Sequence, residues 1–252
     1  MNSNTIINRA FRVLKDEGIL QLVRKSLVLM RMNMLLPYAI YKVKKLRTYN
    51  IDELIDFCFN GIKGLIKPLQ VSEEITDLLK EVNKAKARVV IEIGTATGGT
   101  LFLFCRTAAE NAIIISVDLP GGRFGGGYPS WRIPLYQAFK LPQQKLHLLR
   151  ADSHNETTLQ QVRKALNGEK ADLLFIDGDH SYNGVKMDFE MFSPLVKNGG
   201  SIAFHDIVIH PANTGCEVNK FWEEIKNRYE YTEFVSDWNQ GQCGIGTLRW
   251  KT

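Results

Sequence analysis

Between residues 88 and 207 five short apolar runs alternate with stretches of other character, and this constrains the fold more than any other feature of the chain. The runs are RVVIEIG, AIIISVDL, KLHLLRAD, ADLLFIDGD and GSIAFHDI. Helical patterns follow most of them: TLFLFCRTAAE, TLQQVRKAL, GVKMDFEMF and EVNKFWEEIKNRY, with a Gly/Pro-rich loop after the second run. Strands that alternate with helices lie parallel, because the helix carries the chain back across one face of the sheet. Runs as continuously apolar as VVIEI, AIIISV and LLFI fit strands covered on both faces. Two further runs, YEYTEFV and QCGIGTLRW, follow one another without a helix and predict a closing antiparallel hairpin. The expected fold is α/β: a doubly wound, mostly parallel seven-stranded sheet with a C-terminal antiparallel hairpin and an N-terminal helical appendage.

The 252 residues suit one large α/β domain plus an appendage, divided here as 1–70 and 71–252. The main domain opens with SEEITDLLKEVNKA, an amphipathic helix with Ser72 as its expected N-cap and Ile75, Leu78, Leu79 and Val82 on one face. The appendage is basic: from Arg9 to Arg47, ten Lys or Arg stand against Asp16 and Glu17. With a net charge of +5 overall, the rest of the chain is acidic, which argues against a nucleic-acid partner. Two readings of the first 50 or so residues stay open. One is a helical element packing on the main domain or on a second subunit, as in a homo-oligomer. The other is an interfacial helix held at an anionic membrane surface by its Lys/Arg excess. The apolar stretch at 27–41 is interrupted by Arg31, Asn33 and Pro37, too often for a spanning helix. The polar start carries no apolar secretory region. Cys58, Cys105, Cys216 and Cys243 form no CxxC pair and no Cys/His spacing that fits a zinc site. Reduced thiols and a cytoplasmic location follow.

In a doubly wound sheet, ligands bind beyond the carboxyl ends of the strands. The first strand leads into EIGTATGG, with Glu92, Gly94, Thr95, Gly98 and Gly99, where glycines allow close backbone approach and the next helix offers free N–H groups. The second ends at Asp118, placed for ribose hydroxyls. The third leads to Asp152 and Ser153, suited to the edge of an adenine. Each acid alone could be a cap or a surface group; polar residues at three successive strand tips are harder to attribute to packing. A dinucleotide fold wants G-x-G-x-x-G, whereas G-T-A-T-G-G fills the pyrophosphate approach. A nucleoside cofactor without phosphates fits better.

From about Val89 to the C-terminus these motifs resemble the class I S-adenosylmethionine-dependent methyltransferases. EIGTATGG is similar to the family's first motif and SVDLPGG to its ribose-binding acid motif. VDLPGGRFGGGYPSWR, FIDGDHSY and IAFHDI resemble the cephalosporin-hydroxylase-like branch, akin to metal-dependent O-methyltransferases acting on sugars of natural products. The resemblance implies S-adenosylmethionine as cofactor and a small-molecule or glycan acceptor.

The fourth and fifth strands end in charge: Asp177, then Asp179 and His180, and His205 with Asp206. If these strands are neighbours, ~4.8 Å apart, Asp177, His205 and Asp206 offer two carboxylates and an imidazole to a divalent cation such as Mg²⁺. A cation would lower the pKa of an acceptor hydroxyl, and a nearby carboxylate or imidazole would take its proton. The resemblance implies Asp177 and Asp206 as ligands and Asp179 as base; His205 replaces the acid of the family's pair. His180 is either an alternative base or a cap for the next helix. The loop 121–132, with Phe124, Tyr128 and Trp131 among its glycines, reads as a lid or as a packed loop anchored by its aromatics. Two rival functions are a non-haem iron hydroxylase, which His205 and Asp206, contiguous on an α/β sheet, fit poorly, and an inactive scaffold in glycan assembly.

Overall fold

The computed structural model describes residues 18–121, 124 and 127–251, apart from the side chains at 22, 25 and 27–34. It forms two units, Met1–Lys45 and Leu46–Thr252. In the first, helix α1 (Ile19–Lys45) continues through Pro37 and ends in Lys42, Lys44 and Lys45, cations that suit the negative end of the helix dipole. The membrane-surface reading rests largely on residues 1–17 and on side chains outside those described. Among the described residues no helix is long and apolar enough to cross a membrane.

The second unit begins 25 residues earlier than the sequence boundary at 71, and packing explains why. Helix α2 (Ile51–Asn60), capped by the Asn50 side chain accepting from the Glu53 amide, buries Leu54, Phe57 and Cys58. Phe57 meets Phe102 at 5.4 Å between ring centroids, and the Cys58 thiol donates to the Gly99 carbonyl. Segment 46–70 is thus part of the main core. Helix α3 (Ser72–Ala85) starts one residue earlier than expected: Val71 is the N-cap, and the Ser72 hydroxyl donates to Glu73 rather than capping the backbone.

The sheet contains β1 (Val89–Ile93), β2 (Ile113–Val117), β3 (Lys145–Leu149), β4 (Ala171–Ile176), β5 (Val196–His205), β6 (Tyr231–Phe234) and β7 (Ile245–Arg249). Their order is β3-β2-β1-β4-β5-β7-β6. The first five strands pair in parallel; β7 runs antiparallel to both β5 and β6, as the missing helix between the last two runs predicts. The connecting helices are α4 (Gly99–Thr107), α5 (Ile133–Gln137), α6 (Glu156–Leu166), α7 (Tyr182–Phe192) and α8 (Val218–Ile225). Helix α5 arises in the stretch read as loop. The core is continuous from Val89 and Ile91 through Leu174, Ile202 and Phe204 to Trp222.

The order reverses at β1, which lies between β2 and β4, and two residues there carry unusual constraints. Gly94 leaves β1 with φ +89°, and a Cβ at this position would lie 1.9 Å from the Asp177 carbonyl oxygen. Its amide donates to Val117 of β2, while the Asp177 amide donates to Ile93. Glu92 is fully buried, with Oε1 accepting from the Thr100 hydroxyl at 2.6 Å and Oε2 without a partner. Burial pushes its carboxyl up from an ordinary 4.5 to about 8, against the opposing hydrogen bonds of Thr100 and Thr95, and the charges of Asp118 and Asp177 add to the rise.

Both constraints are testable. Gly94→Ala combines left-handed strain with a backbone clash and should lower the unfolding free energy by about 3 kcal/mol or more in urea titrations. Glu92 is protonated in the fold near neutrality but ionises near 4.5 when unfolded, so the unfolded chain binds fewer protons between those values. Its contribution is fully present below pH 4.5 and declines as pH rises towards 8, by roughly 1.4 kcal/mol per unit. Glu92→Gln should therefore gain stability relative to wild type as the pH of the urea titration rises; parallel pH curves for the two proteins would refute the buried neutral carboxyl.

Candidate active site

The carboxyl ends of the parallel strands open into a cleft of about 470 Å³. Gly94, Thr95, Asp118, Asp152 and Ser153 line one half, and Asp177, Asp179, His180, His205 and Asp206 the other. Ten of the twelve residues singled out from the sequence for cofactor, metal or proton transfer thus share one wall. Glu92 and Gly98 do not line it. Glu92 lies behind the wall, tied to Thr100 of α4. Gly98 caps α4 at φ +86°, where a Cβ would collide with the Tyr136 ring at 2.7 Å. Its glycine is required by packing.

In the first half Asp118 is almost fully buried. Its Oδ2 accepts from the Ala96 amide and its Oδ1 from the Gly127 amide, each at 2.9 Å. Burial raises its pKa to about 6, and the backbone donors, from Ala96, Gly127 and Thr95, hold the rise in check. Each carboxylate oxygen retains a lone pair for a ligand hydroxyl. The Thr95 and Ser116 hydroxyls hydrogen-bond to each other, which fixes the loop between β1 and α4 against β2. Asp152 Oδ1 accepts from the His154 amide, a local turn that leaves Asp152, Ser153 and His154 on the cleft wall.

The second half is a network of carboxylates and imidazoles. Asp177 sits between elements distant in sequence: Oδ2 accepts from Gln70 Nε2 at 3.1 Å and Oδ1 lies 3.0 Å from His205 Nδ1. His180 Nδ1 lies 2.9 Å from Asp206 Oδ2, and its Nε2 lies 3.5 Å from Asp177 Oδ1. His210 Nε2 approaches Asp206 Oδ1 to 3.1 Å but off the line of a hydrogen bond. Burial alone would lower the pKa values of His180 and His205. Contacts with Asp206 and Cys216 and the charge of Asp177 outweigh it for His180, reaching about 10. Asp177 and Asp206 hold His205 well above its ordinary value. Burial likewise opposes ionisation of Asp206, but His205, His180 and His210 keep its carboxyl well below the usual range. These contacts favour the protonated form of both rings, whose positive charge offsets the neighbouring carboxylates.

Asp179 and His180 divide the roles the sequence left open. Ser181 caps α7, accepting from the Gly184 amide, while Asp179 Oδ1 accepts from both the amide and the hydroxyl of Ser181. The capping function therefore falls to Ser181 and Asp179, and His180 is turned to the cleft. There Phe124 stacks on it at 5.0 Å with the rings 7° apart. Tyr128 is instead buried against Tyr136, so one aromatic of the 121–132 loop anchors it and another covers the site. Residues 122, 123, 125 and 126 of the lid reading lie outside the described residues.

The donor set fits a cation, with a changed membership. Among the described residues, two groups bring ligand atoms within 4.8 Å of one another: His180, Asp206 and Cys216, and His205, Asp206 and Cys243. His205 Nε2 is buried without a hydrogen-bond partner. Asp177, expected as a ligand, belongs to neither group; Gln70 and His205 occupy its two oxygens. Gln70 and Cys243 complete the site from segments that no local motif connects to it, and Phe124 reaches it from the loop read as a lid.

Known proteins share the fold that carries this cleft. Residues 91–207 match the family model of a methyltransferase domain. An uncharacterized protein, y4gI, of Sinorhizobium fredii is 26% identical over 172 residues, which are 67% of this chain but only 18% of that protein. Three solved structures share the fold. The O-methyltransferase from Bacillus cereus, in complex with SAH, is 19% identical with a TM-score of 0.52, covering 82% of this chain and 93% of that one. TomG from Streptomyces achromogenes, an O-methyltransferase involved in tomaymycin synthesis and in complex with SAM, is 16% identical with a TM-score of 0.55, covering 82% and 92%. A putative O-methyltransferase from Klebsiella pneumoniae is 18% identical with a TM-score of 0.54, covering 84% and 95%. Residues 91–207 thus correspond to a methyltransferase domain, and the strand order and the cleft at the carboxyl ends of the strands are those of its Rossmann-like fold.

Proposed function

We propose that the protein transfers the methyl group of S-adenosylmethionine to a hydroxyl of a sugar or related small natural product, assisted by a divalent cation. The observation that carries this reading is the union of two unlike half-sites in one cleft: Gly94, Asp118, Asp152 and Ser153 beside Asp177, Asp179, His180, His205 and Asp206. The first half suits a nucleoside, with Asp118 accepting from ribose hydroxyls and Asp152 and Ser153 meeting the adenine edge. The second suits an oxygen nucleophile, because it concentrates proton acceptors and donors where the donor methyl would emerge. The O-methyltransferases of like fold, two of them holding SAH or SAM, support the same assignment.

His205 and Asp206 would hold the cation, with Asp177 fixing the His205 ring through Nδ1. When bound, a divalent ion supplies positive charge that lowers the pKa of a hydroxyl beside it. The rest falls to the chain's own groups. Asp179 commits Oδ1 to Ser181 and takes the hydroxyl proton at its other oxygen as the new C–O bond forms. The S–C bond breaks in the same step, and its electron pair leaves with S-adenosylhomocysteine. His180, held by Asp206 and covered by Phe124, donates to the acceptor and fixes its approach. Phe124 also offers a ring face on which a sugar or an aromatic acceptor can stack. Free thiols throughout suit a cytoplasmic setting.

Calorimetric titration of S-adenosylhomocysteine into the wild type and Asp118→Ala tests the cofactor half. Micromolar binding, about −8 kcal/mol, should weaken at least tenfold, or about 1.4 kcal/mol, in a variant whose circular dichroism is unchanged. Absence of binding to wild type would overturn the reading; binding would be followed by a screen of hydroxylated acceptors for methyl transfer.

A further inference from the structure

We infer that His205, Asp206 and Cys243 form a three-ligand centre for a borderline transition-metal dication of the Zn²⁺ class, with Asp177 orienting His205. The inference deepens the methyl-transfer reading and rests on it for what the ion does, while the centre itself can be tested without turnover.

Three observations converge. A ring nitrogen of His205, a carboxylate oxygen of Asp206 and the sulfur of Cys243 lie within 4.8 Å of one another, and all three residues are buried. His205 Nδ1 lies 3.0 Å from the Asp177 carboxylate and 3.3 Å from Asp206 Oδ1, carboxylate contacts of the kind that orient a metal-binding imidazole, and its Nε2 is buried with no hydrogen-bond partner. The backbone at both other ligands is strained: Asp206 has φ +65° and Cys243 φ +61°, a region non-glycine residues rarely enter. The two are tied together, since the Cys243 amide donates to Asp206 Oδ1 at 3.0 Å. Paired left-handed residues at a cleft wall, each presenting a donor atom, mark a functional constraint rather than a turn.

The donor chemistry selects the ion. Mg²⁺ takes oxygen ligands and gains nothing from a thiolate or an imidazole, whereas Zn²⁺ binds sulfur, nitrogen and carboxylate together. Three protein ligands leave the fourth position of a tetrahedral ion open to an acceptor oxygen. On binding, the Cys243 thiol, which donates to the Leu69 carbonyl, and the ligating nitrogen of His205 each exchange a proton, released to solvent, for the metal. Cys216 belongs to a second group with His180 and the same Asp206, and is less buried. It serves as the control thiol.

Full-length protein stripped with chelator is titrated with Co²⁺ alone. The expected spectrum contains a thiolate-to-cobalt charge-transfer band in the near ultraviolet and visible bands of four-coordinate intensity, retained in excess Mg²⁺ and erased by Zn²⁺. Cys243→Ser should lose the charge-transfer band, and Cys216→Ser should keep it. If Cys243→Ser does not fold, the wild-type spectrum and its persistence in Cys216→Ser decide the matter. A cobalt spectrum with no thiolate band, a band lost only in Cys216→Ser, or displacement of Co²⁺ by Mg²⁺ would overturn the centre. Titrating the same samples with S-adenosylhomocysteine separates the two readings: cofactor binding without the band removes the metal centre alone, and the band without cofactor binding removes methyl transfer alone.

Discussion

The contact on which the rest of the structure depends is the approach of Gly94 to the Asp177 carbonyl at the tips of β1 and β4. Strands β1 and β4 are the pair at which the winding direction reverses, so the connections on either side leave in opposite directions and a crevice opens between them. No side chain fits there, since even a methyl group would lie 1.9 Å from the neighbouring carbonyl. The two half-sites consequently share one space. A looser junction would separate the Asp118 side of the cleft from the Asp177 side, and the two would no longer meet in one space.

Electrostatics then distinguishes the acids along the strand tips. Glu92, buried behind the wall, is kept neutral, whereas Asp118 receives backbone donors that restrain its rise to about 6. Asp206, buried nearly as deeply, is kept ionised by three imidazoles. The difference lies in partners rather than depth. A buried carboxylate is tolerated where positive charge or N–H groups meet it, and protonates where only hydroxyls do. The cleft therefore keeps a carboxylate at Asp206, where an incoming cation or hydroxyl would meet it.

Much of this was legible in the sequence because it is local. The alternation of VVIEI, AIIISV and LLFI with amphipathic stretches reports a parallel sheet, since each run's own composition records that both its faces are covered. Asp118, Asp152, Asp177 and Asp206 were legible for the same reason, each standing just beyond an apolar run. Glu92 was misleading: the last turn of a strand can point its side chain into the core as easily as into a cleft, and the string EIG does not say which. The boundary at 71 failed because α2 is short and its burial depends on Phe102 and Gly99, more than 40 residues away. Gln70 and Glu74 gave no signal at all. Gln70 reaches Asp177 across 107 positions, and Glu74, buried on α3, accepts from the amides of Ser236 and Gly244 and from Gln240. Such pairings exist only once the sheet has brought the ends of the chain together.

Cys243 shows how the antiparallel strand changes what the site can contain. In a parallel strand only the residues leaving it reach the carboxyl edge; the residues entering it lie at the opposite edge. Strand β7 runs the other way, pairing Ile245 with His205, so the residues that precede it arrive beside the end of β5. Cys243 and Gln242 therefore enter the cleft wall from the start of a strand, while Glu74 anchors the preceding segment through Ser236, Gln240 and Gly244. A search for closely spaced Cys and His ligands misses this arrangement, because the thiol and the imidazole are 38 positions apart and meet only through the reversal of one strand. The hairpin thus does more than close the sheet's edge: it delivers a soft donor to a site otherwise built from the hard oxygens and imidazoles that parallel strands supply.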